Sequence, residues 1–340
     1  MTLVVDVGVF AHNEAAGIAA MVQALAAQDL LTAPGLDVRI LVLANGCSDD
    51  TVARARAAIL AAAVPGITVA DLAQGGKSRT WTRFVHDLSR PGADILVFAD
   101  ADIRFPTPDS LRRLVGGLAQ RPGLWALNSQ PVKDIVADPT NLTRTDRLIA
   151  AAGGALNDWK TAICGQLYAM PAARARAFHL PVGLPVEDGF LRAMILTDAL
   201  TAPEDFSRID GLDGLFHIYR SERRISDLLR HQTRLVIGSA INTACFEDLR
   251  SLPSDHRHKA LADSGEDWLA QVIRRRLPRR TSGYVPVHFA IKRVQRALAN
   301  PRSLLNPKRL VVTVAGFGFD LIVYLRAQLA MARGTGAGHW

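Results

Sequence analysis

The stretch Ile95-Leu96-Val97-Phe98-Ala99-Asp100-Ala101-Asp102 joins a short apolar run to two carboxylates separated by one small residue. An apolar run of this length predicts a strand that is buried on both faces. Ligands of an open parallel sheet bind at the carboxyl ends of its strands. Asp100 and Asp102 are therefore predicted to hold a hard divalent cation together with a phosphate. The alternative is a solvated turn capped by Asp102, because Asp-x-Asp alone is a weak signal.

Strands and helices alternate in the first part of the chain. The predicted strands are Val4–Phe10, Val38–Leu43, Ile67–Leu72, the Asp100 strand and Leu124–Leu127. Helical patterns lie between them, including one from about Ala15 to Gln28 with Asn13 as its predicted cap. This alternation predicts an α/β fold, with a Rossmann-like, mostly parallel sheet and helices on both of its faces.

The alternation ends beyond Pro131. The segments predicted there are a helix over Thr140–Ala155, a strand over Thr161–Met170, a helix over Leu191–Thr197, a strand over Phe216–Tyr219 and a helix over Ile225–Phe246. The tail from Glu266 to Ala332 has a helical pattern that several prolines interrupt. We therefore expect a helical extension at the carboxyl-terminal end.

Composition excludes several classes of protein. The 340 residues include three widely spaced cysteines and no CxxC pair, which argues against a cysteine zinc site and a disulfide scaffold. The net charge of +8 is concentrated late in the chain, with few aromatic residues among the bases, which argues against binding of single-stranded nucleic acid. The apolar segment Leu310–Tyr324 contains Asp320 and is shorter than the ~20 residues of a membrane span, so it predicts a buried or interfacial helix.

Five motifs follow the predicted elements in order. They are Asn13-Glu14, Asn45-Gly46-Cys47-Ser48-Asp49-Asp50-Thr51, Gly76-Lys77, Asp100-Ala101-Asp102 and Glu187-Asp188. In this combination the chain resembles the family 2 glycosyltransferases with the GT-A fold, over roughly Val4 to Arg234. The resemblance implies a domain over residues 1–250, with a nucleotide-sugar half (1–131) and an acceptor and catalytic half (132–250). A basic helical extension over 251–340 would follow.

The resemblance also implies an activity. A hexosyl or N-acetylhexosaminyl group would pass with inversion from a nucleotide-diphosphate sugar to an acceptor hydroxyl, in polysaccharide, glycolipid or cell-envelope glycan synthesis. Mg²⁺ or Mn²⁺ would stabilise the leaving diphosphate as a Lewis acid. The acceptor would be a saccharide or a lipid-linked molecule. The enzyme would be cytoplasmic, with two alternatives for its basic tail: peripheral contact with the cytoplasmic face of the inner membrane, or packing on the catalytic domain or in a homodimer.

Roles on the donor side follow from the same resemblance. The residues implied to bind the nucleotide are Ala11, Asn13, Glu14, Asn45 and Lys77. Asp100 would contact ribose or metal, and Asp102 would be the main metal ligand. The family usually has paired aspartates where this chain has Ala44-Asn45, so a base-reading carboxylate is absent. The alternative for Asn45 is a turn residue in the left-handed conformation.

On the acceptor side, Asp188 resembles the general base that takes the proton of the acceptor hydroxyl. Glu187 and Arg234 would lie on the acceptor side or near the diphosphate. His217 or His231 would complete the metal shell, and the alternative for each histidine is a structural or surface role, which is the more common one for a lone histidine. The alternative for Glu187-Asp188 is a pair of ordinary first-turn acids favoured by the helix dipole. Gln232-Thr233-Arg234 matches the Gln-x-x-Arg-Trp motif of processive synthases only in part, which argues against that subclass.

Two other functions remain open. A catalytically silent GT-A-like binding module is consistent with the Ala44-Asn45 departure, although Asp102 and Asp188 are both present. A sugar-phosphate nucleotidyltransferase would favour a glycine-rich basic loop after the first strand, where this chain has Ala11-His12-Asn13-Glu14. A dinucleotide-dependent oxidoreductase is disfavoured because no G-x-G-x-x-G follows that strand.

Overall fold

The structure is a computed structural model that describes residues 2–140, 142–143, 158–299 and 306–335. One mixed sheet forms its centre, in the order β3-β2-β1-β4-β7-β6-β8-β5. The strands are β1 Leu3–Ala11, β2 Leu36–Asn45, β3 Ile67–Leu72, β4 Ile95–Asp100, β5 Ile103–Arg104, β6 Ala126–Lys133, β7 Leu167–Pro171 and β8 Ile209–Tyr219.

The α-helices of the described residues cover the sheet and form the extension. They are α1 Ile18–Ala26, α2 Thr51–Ala62, α3 Lys77–Arg83, α4 Ser110–Ala119, α5 Asp134–Ala137, α6 Ala172–Ala175, α7 Glu187–Thr197, α8 Ile225–Arg250, α9 Arg257–Ala262, α10 Trp268–Arg276, α11 His288–Ala299 and α12 Pro307–Ala332. The predicted helix over Thr140–Ala155 lies almost wholly outside the described residues.

Strands β1 to β4 pair in parallel, and β7 and β6 then join as antiparallel neighbours. The register pairs Phe10 with Asp100 and Ala11 with Ala44, so the carboxyl ends of β1, β2 and β4 share one edge. Strand β4 is buried on both faces, with Leu96 and Val97 fully inaccessible. These findings confirm the α/β class and the buried strand that the sequence predicts, and they bring three of the five motifs to one edge.

Two apolar layers hold the sheet. One face packs Val7 and Val9 with α1 and α4, and the other packs Phe98 with Trp81 and Phe84. The second layer continues into the extension, where Leu269 and other residues of α10 and α12 join the same core. Phe98 stacks against both Trp81 and Tyr168, at centroid distances of 5.6 and 4.6 Å, and Trp81 Nε1 donates to the Tyr168 hydroxyl (2.8 Å). Phe98 lies in β4, two residues before Asp100.

The structure corrects several predicted boundaries. Helix α1 begins at Ile18, and Asn13 does not cap it: Asn13 has φ 55° and its Oδ1 accepts a hydrogen bond from Ser48 N–H (2.8 Å). Strand β2 continues through Asn45, and this residue is therefore not part of a turn. Its buried side chain forms hydrogen bonds with the Ala11 carbonyl and with Gly76 N–H. Strands β6 and β8 are longer than predicted because they pair with each other.

The length predicted for the last apolar segment is also wrong. Its helix, α12, has 26 residues, and Arg309–Ala332 is long and apolar enough to cross a membrane by length and composition (mean hydropathy 1.7). It is the one such helix among the described residues, and little of it is buried. Asp320 does not end the apolar run, because its carboxylate pairs with Arg293 (2.9 Å).

Candidate active site

Lys77 connects the Asp100 motif, predicted to bind the donor, to the Glu187-Asp188 motif, predicted to face the acceptor. At the start of α3, its Nζ lies 2.6 and 2.8 Å from the two carboxylate oxygens of Asp100. The same ammonium lies 3.4 Å from Glu187 Oε1 and donates to the carbonyl of Gly165 (3.0 Å). One cation therefore joins the end of β4 to the start of α7, although 110 residues separate Lys77 from Glu187 in the sequence.

The charges of this cluster perturb one another. Burial lowers the pKa of Lys77, but Asp100 and Glu187 outweigh this effect, so that its pKa is raised and it stays charged. Burial raises the pKa of Asp100 to about 6, against the opposing effect of Lys77. Burial and the neighbouring Glu187 likewise raise the pKa of Asp188 to about 6. Perturbed carboxylates gathered in one place are typical of a functional site.

Asp188 is held at the start of α7 by packing from two sides. Its Oδ1 accepts a hydrogen bond from Gly189 N–H (2.7 Å), and its Cβ faces Gly165, where a side chain would come within 3.2 Å. Helix α8 crosses the start of α7 at Gly238, where an added Cβ would lie 2.2 Å from a methyl group of Val186. Asn242 Nδ2 donates to the Val186 carbonyl (2.9 Å) and fixes this crossing.

Asp102 and Glu14 form the more open part of the site. Asp102 is exposed in the turn between β4 and β5. Burial raises the pKa of Glu14, and the carboxylates of Asp102, Asp49 and Asp100 raise it further. Arg220, which follows β8, counteracts this effect in part. Excess negative charge at this edge of the sheet favours binding of a divalent cation together with a phosphate-bearing ligand.

Asn45 acts as a cross-link at the donor end. The side chain is buried, its Nδ2 donates to the Ala11 carbonyl (2.9 Å), and its Oδ1 accepts from Gly76 N–H (3.2 Å). It thereby ties the ends of β1 and β2 to the loop before Lys77. Both polar atoms of this amide are occupied, and so is the carbonyl of Ala11. Asn13 holds the loop that follows β2 through Ser48.

The extension reaches the same loop. Arg79, two residues after Lys77, forms an ion pair with Glu266 just before α10. Its guanidinium also donates to Gln74 Oε1 (3.0 Å) and to the Gly75 carbonyl (3.3 Å). The loop that carries Lys77 is therefore connected on one side to β2 and on the other to the helical extension.

His217 has the structural role that is the alternative to a place in a metal shell. His217 is fully buried, and its ring nitrogens lie 3.0 Å from Ser129 Oγ and 3.0 Å from Gln166 Oε1. Burial lowers the pKa of His217 to about 3, so the ring is neutral. The ring orients the Gln166 side chain, and the main-chain carbonyl of Gln166 accepts a hydrogen bond from Asp100 N–H (2.8 Å). His231 lies 3.3 Å from Glu222. Arg234 lies close enough to Asp188 to favour its ionised form, against the larger effect of burial.

Some residues that support the candidate site could not be recognised from the sequence. Gln166, Gly238, Asn242 and Arg220 belong to no motif and lie far along the chain from the residues they support. Gly238 and Asn242 are four residues apart on one helix face, so a helix contact is predictable. The element that they contact is not predictable from this spacing.

The residues present fit a divalent cation. The described part of the chain has no group of three His, Cys, Asp or Glu side chains arranged as a metal cluster. Mg²⁺ needs no such cluster, because it is held by one or two carboxylates together with phosphate oxygens and water. Exposed Asp102 and the adjacent Asp100 supply that kind of donor.

Comparison with known proteins agrees with this geometry. The fold is that of the GT-A glycosyltransferases: a mannosyltransferase from Pyrobaculum calidifontis, solved in complex with GDP-Man and Mn²⁺, superposes with a TM-score of 0.54 at 16% identity, over 95% of this chain and 86% of that chain. Residues 6–163 match the family described as "Glycosyl transferase family 2".

Two other solved structures are similar over less of the chain. Mannosyl-3-phosphoglycerate synthase from Rubrobacter xylanophilus has 17% identity and a TM-score of 0.49, over 73% of this chain and 74% of that chain. Glucosyl-3-phosphoglycerate synthase from Mycobacterium tuberculosis, with Mn²⁺, UDP-glucose and phosphoglyceric acid, has 20% identity and a TM-score of 0.47, over 72% and 79%. No curated protein matches the sequence.

Proposed function

We propose that this protein is an inverting, metal-dependent glycosyltransferase that moves a sugar from a nucleotide-diphosphate sugar to an acceptor hydroxyl. The observation that supports it most is the position of Lys77. Its ammonium joins Asp100, at the donor edge of the sheet, to Glu187, next to Asp188. Donor and acceptor motifs that are distant in sequence therefore surround one cleft.

In the proposed mechanism, Asp188 accepts the proton of the acceptor hydroxyl. The acceptor oxygen forms a bond to the anomeric carbon as the bond from that carbon to the diphosphate breaks, and the nucleoside diphosphate leaves with the electron pair. A raised pKa of about 6 makes Asp188 a stronger base than an ordinary aspartate, yet leaves it ionised at neutral pH. Attack opposite the leaving group inverts the anomeric configuration.

Negative charge that develops on the leaving diphosphate requires cations. Asp102, with Asp100, would hold Mg²⁺ or Mn²⁺, which stabilises that charge as a Lewis acid when bound. Lys77 stays protonated beside Asp100 and is placed to contribute a second positive charge. Asn13, Glu14 and Asn45 border the region where the nucleotide would lie. Asn45 is proposed to shape this region and not to read the base, because its amide is already bonded.

The cellular role follows from the same proposal. We propose a cytoplasmic enzyme of polysaccharide, glycolipid or cell-envelope glycan synthesis that acts on a saccharide or lipid-linked acceptor. The basic extension would place it at the inner face of the membrane. Neither nucleic acid nor a processive polymer channel is required by the site.

Product analysis distinguishes this function from the alternatives. We expect the purified protein with Mn²⁺ to release a nucleoside diphosphate from one nucleotide sugar, and NMR of the product to show an inverted anomeric centre. Asp188→Asn should abolish transfer of the sugar to an acceptor, together with the accompanying release of the nucleoside diphosphate, and keep donor binding. Pyrophosphate formed from a nucleoside triphosphate and a sugar phosphate would instead indicate a nucleotidyltransferase. A silent module would give neither product.

A further inference from the structure

Helix α12 is attached to the protein along its inner face. Three side chains of this face lie in the core: Val323, Ala327 and Met331. Gln328, on the same face, donates from Nε2 to the carbonyls of Ser282 (2.7 Å) and Val285 (2.9 Å) and accepts at Oε1 from Tyr284 N–H (3.0 Å). The carboxyl-terminal half of the helix is therefore built into the fold.

The outer face of α12 is apolar and uncovered in the described structure. Exposed apolar side chains recur at helical spacing opposite the buried ones, and they include Val311, Val314, Ile322, Leu325 and Leu329. Each is between 50% and 67% exposed. The stripe is about 27 Å long at the rise of an α-helix. A helix that is apolar on both its inner and outer faces is typical of a buried or membrane-bound segment, and a stripe of this size marks an interaction surface.

Positive charge surrounds this stripe. Among the described side chains of residues 285–335, six are lysines or arginines and one is an acid, Asp320, which pairs with Arg293. Lys292 and Arg296 are exposed on the neighbouring helix α11, and Arg309 and Arg333 are exposed near the two ends of the stripe. Such a surface complements an anionic one. It does not complement a second copy of itself, because two copies would bring like charges together.

We propose that the outer face of α12, with the bases of α11 beside it, docks flat on a bilayer that contains anionic lipid. Apolar side chains would enter the acyl boundary while the bases remain at the headgroups. A spanning arrangement would require Gln328 and the three buried side chains to leave the protein. This inference deepens the proposed membrane location and does not depend on the transferase chemistry.

Vesicle flotation of the full chain tests the proposal without any substrate. We expect binding to vesicles of phosphatidylcholine with phosphatidylglycerol, little binding to phosphatidylcholine alone, and release by high salt or alkaline carbonate. V311D/V314D should lower the partition coefficient by roughly tenfold or more, because two charges replace apolar contacts with the bilayer. K292E/R296E should lower it by a similar factor for anionic vesicles. All four side chains are exposed, so the fold should tolerate these changes.

Matched controls use another surface of the chain. Leu60→Asp on α2 changes an apolar side chain that is 82% exposed, and Arg54→Glu reverses one exposed charge on the same helix. Both should bind vesicles like the wild type. The proposal would be overturned if V311D/V314D bound anionic vesicles as well as the wild type does. It would also be overturned if the wild type bound phosphatidylcholine vesicles as well as anionic ones. Resistance to alkaline carbonate would instead indicate a span. A wild-type dimer that V311D/V314D converts to a monomer, without vesicle binding by either, would show that a second copy covers the stripe.

Discussion

Asp188 and Asp102 belong to one candidate site, but the two side chains differ in their exposure to solvent. Asp188 lies between Glu187 and the Gly165 backbone, where burial raises its pKa to about 6. Asp102 is exposed in a turn. A base is needed where the acceptor proton leaves, and an accessible carboxylate is needed where a cation binds. The two positions match these two requirements.

Asp188→Asn should therefore inactivate the protein and stabilise it. The folded state binds the Asp188 proton more tightly than the unfolded chain does, so stability falls as pH rises from about 4 to about 6. Removal of this charge should raise the unfolding free energy by up to roughly 3 kcal/mol at pH 8, and by much less near pH 4. Thermal unfolding at both pH values measures the effect. Asp255→Asn, at a position that is 78% exposed, is the control, and equal melting temperatures for all three proteins at pH 8 would contradict the assignment.

The pH dependence of activity provides an independent test of the same residue. Because Asp188 must be ionised to accept a proton, kcat should fall about tenfold per pH unit well below pH 6 and level off above it. Initial rates at saturating donor and acceptor measure this profile. A rate that stays flat down to pH 4.5 or so would show that no carboxylate with a raised pKa acts as the base.

Asn45 shows where a family pattern and local geometry differ. Asn45→Asp restores the carboxylate that the family usually has, but the amide donor to the Ala11 carbonyl is lost and two oxygens then face each other in a buried position. We expect a loss of about 1–3 kcal/mol in unfolding free energy and no gain in nucleotide affinity. Denaturant unfolding and calorimetric titration measure the two quantities. Tighter nucleotide binding with unchanged stability would show that position 45 reads the base.

At the scale of elements, the crossing of α7 and α8 fixes the start of α7, which carries Asp188, the proposed catalytic base. Gly238→Ala would place a Cβ against Val186, next to the first turn of α7. The helices must separate, so we expect a loss of roughly 1–3 kcal/mol in stability and a lower kcat with little change in donor affinity. Gly116→Ala on α4, where an added Cβ meets nothing within 4 Å, is the matched control. It should gain about 0.5–1 kcal/mol. Equal kcat in the two variants would contradict the role of this crossing.

Elements formed by local pattern were predictable, and those fixed by distant partners were less so. The apolar run of β4 predicted that strand closely, since burial on both faces leaves a continuous apolar signature. Strand β3 is a partly exposed edge strand, and the strand–helix alternation of the first half indicated its position. The true extents of β6 and β8 depend on their pairing with each other. Asn13 looked like a helix cap because the hydrogen bond that it makes with Ser48, 35 residues away, cannot be read from its neighbours.

For the candidate site too, the sequence predicted the local motifs but not the contacts between distant residues. The motifs supplied Lys77, Asp100 and Asp188 because each motif is compact in sequence. Their joint contact with one ammonium, and the support from Gln166 and Asn242, arise only from the folded chain. The choice between a metal ligand and a structural residue could not be made for His217 from the sequence, since nothing in its local sequence reveals that Ser129 and Gln166 already occupy its nitrogens.

At the scale of the whole molecule, the extension and the catalytic region share one core. Leu269 and Val272 of α10 pack with α8, and Asp248 on α8 pairs with Arg275 (2.8 Å) and Arg276 (3.1 Å). We propose that the region after residue 250 is a functional extension that cannot be detached. A chain that ends at Arg250 should expose the outer face of α8 and unfold or aggregate below the wild-type melting temperature. A truncated chain with the wild-type melting temperature would show that residues 1–250 are an independent domain.

Donor binding is the most direct test of the proposal that this protein is a metal-dependent nucleotide-sugar transferase. Thermal unfolding should be measured with UDP, GDP, TDP and CDP, each with and without Mn²⁺, for the wild type and for Asp102→Asn. A ligand that binds only the folded state raises the melting temperature by mass action. We expect one nucleotide to raise it in the presence of Mn²⁺ only, and Asp102→Asn to lose that shift. The absence of any nucleotide-dependent shift, or a shift that Asp102→Asn retains in full, would contradict a metal-dependent nucleotide-sugar transferase.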